Sequence, residues 1–195
     1  SIMAVEYLYM LYPAQRYRQQ IQDKMLDTWY DPKYQYYFNG NYRRENIILD
    51  SCGETRQFAS VDKDGNVIGY LQYTYDDNSG WAKFFGAISF NNNQDYEFTM
   101  DVFRLVDDIF WKFNLNKIEF CCFAKNPAIK TYRSFIKRYG GREIGTVRQC
   151  ERLMDGFLHD SVLFEICYED LVWLDRDGIS KLHYDRLRFT GDEDN

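Results

Sequence analysis

Few side chains in this sequence combine the type and the position that catalysis needs. Glu119 and Asp160 lie in segments with the apolar alternation of strands, and each is interpreted first as a solvated or paired strand carboxylate. His183 has no visible partner. The sequence contains no GxSxG elbow, no Walker loop and no pair of histidines at metal-binding spacing. The residues alone therefore identify no general base.

The cysteines favour free thiols over a metal site or a disulfide framework. There are five, and none form a CxxC motif. Cys121 and Cys122 are adjacent in a predicted strand, so they point to opposite faces and cannot share a metal. The run from Asp62 to Gly65 lacks the later ligands of a calcium loop and predicts a hairpin turn. We expect no bound metal and a reducing, cytoplasmic setting.

Composition and charge exclude several classes of function. The chain has 195 residues, 45% of them hydrophobic and 18% aromatic, which is typical of a globular domain. Its formal net charge is −6, and no basic run occurs, so a nucleic-acid partner is disfavoured. No apolar run approaches about 18 residues and no signal peptide is visible, so we expect no membrane association.

The periodicity predicts alternating strands and helices. Apolar residues every fourth position predict a helix over 14–29, and an apolar face predicts another over 96–113. Asn126 is a natural N-cap with Pro127 at the first helical position, and Gly140-Gly141 ends that helix after residue 139. The predicted strands cover 5–12, 57–61, 67–75, 81–90, 117–123, 142–153 and 158–166.

This order of elements resembles the GCN5-related N-acetyltransferase superfamily. The carriers of the resemblance are the apolar strand 117–123, Asn126-Pro127, the helix to Gly140-Gly141, and a hairpin closed by Asp155-Gly156. The branch that modifies protein N-termini is similar here, and its members often place His-Asp where this chain has His159-Asp160. The resemblance implies an α+β fold with a mixed, mostly antiparallel central sheet flanked by helices, occupying residues 3–167. Residues 168–195 would form a C-terminal extension with an acidic tail.

The resemblance also implies a slot for acetyl-CoA, the co-substrate of the family. In that family the fourth and fifth strands part, and the pantetheine arm bonds to backbone groups of the fourth. Asn126 matches the asparagine that contacts the arm, which is compatible with its role as a helix cap. The residues that would line the slot on the fourth strand are Ala87, Ile88, Ser89 and Phe90.

The pyrophosphate loop departs from the family pattern. Members carry glycines there, so that backbone N–H groups at a helix N-terminus can approach the phosphates. Counting back along the helix places the loop at 91–97, with Asn93, Gln94, Asp95, Tyr96 and Glu97 and no glycine. Either the two carboxylates repel the phosphates and weaken binding, or the loop turns its amides to the phosphates and the carboxylates to water. The glycine-free loop also resembles acetyltransferase-like proteins encoded by bacteriophages.

Tyr132 is the candidate general acid that the resemblance implies. Many members use a tyrosine on this helix to protonate the departing CoA thiolate. Tyr132 lies one position earlier than the common spacing, about 100° around the helix, so a core tyrosine is the alternative. Ile129 replaces the serine that enzymes acting on ribosomal-protein N-termini carry.

The combined expectation is acetyl transfer from acetyl-CoA to a primary amine of a protein or small molecule. The acceptor would enter between residues 29–42 and the final hairpin, with Trp29, Tyr30 and Tyr34 as binding residues. A half-buried aromatic patch is the alternative interpretation of that stretch. The alternative function is a catalytically degenerate protein that keeps the fold and serves as a binding module.

Overall fold

The computed structural model describes residues 10–37, 49, 54–91 and 96–171, which contain seven strands and three α-helices. The strands are β1 (Met10–Pro13), β2 (Thr55–Val61), β3 (Val67–Asp76), β4 (Trp81–Ser89), β5 (Lys117–Phe123), β6 (Arg142–Arg152) and β7 (Leu158–Cys167). The helices are α1 (Arg18–Thr28), α2 (Tyr96–Trp111) and α3 (Ile129–Tyr139). Single 3-10 turns cover Ala14–Tyr17, Pro32–Tyr34 and Tyr168–Asp170.

The described strands form one sheet in the order β1-β2-β3-β4-β5-β7-β6. All neighbours are antiparallel except β4 and β5, which run parallel. The crossover between those two strands is α2, as parallel neighbours require. The predicted mixed, mostly antiparallel sheet with flanking helices is therefore confirmed.

Helices cover both faces of the described sheet. On one face α2 and α3 pack together, with the rings of Phe103 and Phe135 stacked 5.6 Å apart. On the other face Ile21 and Met25 of α1 are buried against a separate cluster from β2, β3 and β4. These two residues belong to the predicted series of apolar residues at every fourth position, so the helical periodicity is confirmed.

Most predicted boundaries agree with the structure to within two residues. Helix α3 begins at Ile129, because Asn126 and Pro127 form a turn that precedes it. Gly140 ends this helix with φ of 82°, the left-handed conformation that glycine adopts without strain. The predicted first strand is described only from Met10 onward, and residues 5–9 lie outside the described ranges.

The described chain continues past the last strand into the core. Tyr168 is buried against Phe110 and Trp111, and Leu171 is 3% exposed. The rest of the predicted C-terminal extension, residues 172–195, lies outside the described ranges. None of the helices in those ranges has the length and apolar character needed to cross a membrane. Within them, no three His, Cys, Asp or Glu side chains come together as a metal-binding group.

Candidate active site

A gap opens in the sheet where β4 and β5 part. The two strands pair only at Trp81 with Lys117 and at Ala82 with Ile118. Beyond these pairs β5 stays with β7 along its whole length, as far as Phe123, while β4 stays with β3. The parallel strands therefore diverge toward their carboxyl ends, and their backbone groups face each other across a V-shaped space.

A β-bulge lies at the apex of this gap. The register between β3 and β4 shifts between Gln72 and Thr74, and Phe84 adopts φ of 53°. A bulky residue in the left-handed region is strained, and such strain is concentrated at functional sites. Phe84 is also 70% exposed, so burial of its side chain offsets little of this backbone strain. Sequence reasoning missed the bulge, although the apolar alternation breaks at Phe84-Phe85.

The backbone of β4 presents alternate residues to the gap. The Phe90 N–H donates to the Ile68 carbonyl of β3 at 2.9 Å. Since backbone groups alternate in direction along a strand, those of Ile88 also point to β3, whereas those of Ala87 and Ser89 point toward the gap. Of the four predicted slot residues, two therefore offer backbone hydrogen bonds there.

The predicted pyrophosphate loop is described only in part. Asn93, Gln94 and Asp95 lie outside the described ranges. Tyr96 begins α2 and is 77% exposed, and Glu97 lies in the first turn of that helix. A carboxylate there complements the helix dipole, but it also places negative charge at the end that would receive phosphates.

Asn126 caps the turn that leads into α3. Its side-chain Oδ1 accepts a hydrogen bond from the Ala128 N–H at 2.9 Å, and its carbonyl accepts one from the Ile129 N–H at 3.0 Å. The Asn126 N–H donates to the Phe123 carbonyl at the end of β5. The residue thus lies at the mouth of the gap, and its side-chain N–H₂ group remains the part that could contact a cofactor arm.

Tyr132 lies on the inner face of α3, over β5 and β7. Its ring is 5.6 Å from that of Phe120 and stacks at 6.4 Å on Phe164. Burial, and then the nearby thiols of Cys122 and Cys121, raise the pKa of Tyr132 to about 12. The hydroxyl is protonated at neutral pH, as that of an ordinary tyrosine is, and the raised pKa makes it a weaker proton donor. The aromatic contacts equally fit the core tyrosine that the sequence left open.

The predicted acceptor residues lie after α1. Trp29 is half-buried at the C-terminal end of that helix, and Tyr30 is 85% exposed. The Tyr34 hydroxyl donates to the Ser89 carbonyl of β4 at 2.9 Å. The contact of Tyr34 therefore reaches the gap.

The polar residues near the start of β7 have structural partners. Asp160 accepts a hydrogen bond at 2.8 Å from the N–H of Gln149, which has φ of 51° at a register shift in β6. His159 is 4% exposed, and its Nε2 lies 2.7 Å from the Asp155 carboxylate in the same hairpin. Asp160 therefore supports a bulge, as the interpretation of a paired strand carboxylate expects.

Glu119 of β5 pairs across the strands with Glu165 of β7, and the two carboxylates have different surroundings. Glu165 accepts hydrogen bonds from Lys117 and Arg142. Glu119 itself is half-buried near the apex of the gap, on β5.

Comparison with solved structures identifies the fold. A probable acetyltransferase of the GNAT family from Chromobacterium violaceum aligns with a TM-score of 0.63 and 19% identity, over 82% of this chain and 87% of that one. The spermidine/spermine N-acetyltransferase SpeG from Vibrio cholerae aligns with a TM-score of 0.59 and 18% identity, over 83% and 93%. A GCN5-related N-acetyltransferase from Brucella melitensis aligns with a TM-score of 0.59 and 18% identity, over 82% and 76%.

The chain has the fold of the GCN5-related N-acetyltransferases. No protein-family model and no curated protein matches its sequence. The fold that the element order predicted by resemblance is thus confirmed by the structural comparison, although neither sequence comparison found a match. The V-shaped gap lies between the fourth and fifth strands, where the resemblance placed the slot for the thioester arm, and that role stays a prediction.

Proposed function

We propose that this protein transfers an acetyl group from acetyl-CoA to a primary amine. The observation that carries the proposal is the gap between β4 and β5, which opens beyond the pair Ala82–Ile118. The backbone groups of Ala87 and Ser89 point into it, so an extended pantetheine arm can lie beside β4 as an added strand would.

Residues on both sides of the gap and at its apex can form hydrogen bonds with such an arm. The β4 backbone offers hydrogen bonds along one side, and Asn126 lies at the mouth on the other. The bulge at Phe84 redirects the β4 backbone near the apex, where N–H groups could hold the thioester carbonyl. In the reaction the amine nitrogen attacks the carbonyl carbon, a C–N bond forms and the C–S bond breaks.

The reaction requires a proton donor for the thiolate and a proton acceptor for the amine. Tyr132 is the proposed donor to the departing thiolate, because it carries a hydroxyl proton at neutral pH and lies on α3 over β5. The proton of the attacking amine passes to water, since positioning alone can supply much of the rate for a free amine. Glu119 is the carboxylate of β5 and lies next to the apex, where it can attract the acceptor as an ammonium ion. That ion must lose a proton to water before its nitrogen can attack.

The test is binding of acetyl-CoA, followed by acetylation of a defined amine. At a hundredfold excess over its dissociation constant, acetyl-CoA should stabilise the fold by about 2.7 kcal/mol in a thermal shift. Spermidine is the first acceptor to assay, because a structural neighbour is a spermidine/spermine N-acetyltransferase, and a short peptide with a free N-terminus is the second. Release of free CoA thiol reports the transfer. The absence of any shift at millimolar acetyl-CoA would refute the proposed function.

A degenerate binding module is the second candidate. The rings of Phe85 and Phe120, from the two sides of the gap, lie 6.4 Å apart and narrow it on the α2–α3 face. Glu97 adds negative charge at the helix end that would receive the phosphates. Both observations favour a gap that no longer admits the cofactor, and the same binding experiment separates the two candidates.

A further inference from the structure

The segment that follows α1, residues 31–37, crosses the mouth of the gap, and we name it the strap. Asp31 begins it, and its carboxylate accepts a hydrogen bond from the Lys33 N–H at 2.9 Å. The Gln35 N–H donates to the Pro32 carbonyl, and the Tyr37 N–H to the Tyr34 carbonyl, at 3.2 and 3.1 Å. These successive turns give the strap a defined conformation.

One side of the strap is bound to the end of β4. The Tyr34 hydroxyl donates to the Ser89 carbonyl at 2.9 Å, and the Lys33 ammonium donates to the Asn91 carbonyl at 3.0 Å. The Ser89 carbonyl is one of the groups that point away from β3. The strap therefore bonds to the same backbone edge that faces the gap.

The other side of the strap rests on β7. The Tyr36 ring meets the His159 ring edge to face, with centroids 5.9 Å apart. The Asp155 carboxylate bonds to Nε2 of the imidazole. Phe123, the last residue of β5, packs edge to face on the same imidazole, with ring centroids 6.3 Å apart. The strap thus bridges β4 and β7 over the tip of β5, where the gap is widest.

The strap lies on the face of the sheet that α1 covers. Residues Val162 and Phe164 of β7 belong to the core under α2 and α3. Because side chains alternate along a strand, Ser161 and His159 point to the opposite face, where Tyr36 contacts His159. The strap therefore approaches β4 from the side opposite α2 and α3.

We propose that Tyr34 is a positioning residue for the thioester arm of the cofactor. Its hydroxyl fixes the Ser89 carbonyl, and with it the direction of the neighbouring backbone groups that would bond to the arm. A carbonyl oxygen has two lone pairs, so the Tyr34 bond leaves one for the cofactor. This inference rests on the proposed function, and it adds a role for a residue outside the strand and helix that form the slot.

The experiment compares Tyr34→Phe with Tyr17→Phe. Tyr17 lies on the α1 face and packs edge to face on Tyr12, so it controls for loss of one tyrosine hydroxyl. Acetyl-CoA affinity is measured by calorimetry for the wild type and both variants. The second ligand is adenosine 3′-phosphate 5′-diphosphate, the part of CoA without pantetheine, measured by its displacement of acetyl-CoA.

The proposal expects Tyr34→Phe to weaken acetyl-CoA binding about fivefold, the equivalent of one net hydrogen bond, and to leave nucleotide-fragment affinity unchanged. Tyr17→Phe should leave both affinities unchanged. If the wild type binds acetyl-CoA, two results would overturn the positioning role. In one, Tyr34→Phe lowers the affinities for acetyl-CoA and for the nucleotide fragment equally; in the other, it lowers neither affinity. Failure of the wild type to bind would instead overturn the proposed function itself.

Discussion

Phe85 of β4 and Phe120 of β5 bring their rings to 6.4 Å beyond the last backbone pair of the two strands. Phe120 is 4% exposed and also contacts Tyr132, Phe135 and Phe164. The sheet therefore remains joined through side chains on its α2–α3 face at the level where its backbone has separated. The floor of the candidate slot is an aromatic cluster.

This cluster predicts where the fold is most sensitive to truncation. Phe120→Ala should lower the free energy of unfolding by about 3–5 kcal/mol, because it leaves a cavity among four rings. Phe84→Ala removes the same side chain from a site that is 70% exposed and should change stability by about 0.5 kcal/mol or less. Urea unfolding of both variants measures the difference, and similar losses would contradict the assigned burial.

The proposed acid can be tested by deleting one oxygen. Tyr132→Phe keeps the ring contacts with Phe120 and Phe164 and should lower kcat for acetyl transfer by at least tenfold, since general acid catalysis contributes about 10²–10⁴. Tyr139→Phe, two turns further along α3, loses a hydroxyl bonded to Asp107 and should keep kcat near the wild-type value. Unchanged kcat in Tyr132→Phe would assign this residue to the core alone.

The charge at the start of α2 predicts a gain in affinity. Glu97→Gln should tighten acetyl-CoA binding about fivefold at low salt, because a carboxylate about 4 Å from a phosphate costs about 1 kcal/mol in water. The gain should shrink at high salt, where exposed charges are screened. Glu54→Gln, at an exposed position just before β2, is the control. Weaker binding by Glu97→Gln would show that the carboxylate supports the site.

The ion pairs of Glu165 predict a pH dependence of stability. Burial pushes the pKa of Glu165 upward, but hydrogen bonds from Lys117 and Arg142 outweigh it and hold the pKa below the usual 4.5. A depressed pKa stabilises the fold above the unfolded value and loses this contribution as pH falls through the folded value. Glu165→Gln should therefore cost about 1–2 kcal/mol at pH 7.

The difference between wild type and Glu165→Gln should narrow as the pH falls below about 4.5. Thermal unfolding from pH 3 to pH 8 measures it, with the exposed neighbour Glu169 changed to Gln as the matched control. A difference that stays constant across this range would show that the carboxylate charge does not stabilise the fold.

Much of the fold could be predicted from local pattern. The stripe through Ile21 and Met25 requires one buried helical face, and both residues are buried. Gly140 is the residue that can end α3 in a left-handed conformation without strain, and it does so. Such features depend on residues within one or two turns of each other, so the sequence contains the information directly.

The site was less accessible to such reasoning. The roles of Tyr132, Asn126 and the slot residues came from the resemblance and remain predictions. The bulge at Phe84 was missed because it depends on the register between β3 and β4. The bond from Tyr34 to Ser89 joins residues 55 positions apart, and nothing in either local sequence indicates it.

The sequence by itself determined the element order and the end of α3 at Gly140, because periodicity and turn chemistry act over a few residues. Only the tertiary structure decided where β4 leaves β5, which backbone groups face the gap, and that the strap spans its mouth. Those features arise from contacts between distant segments, and their geometry is set by how a twisted sheet and its helices pack together.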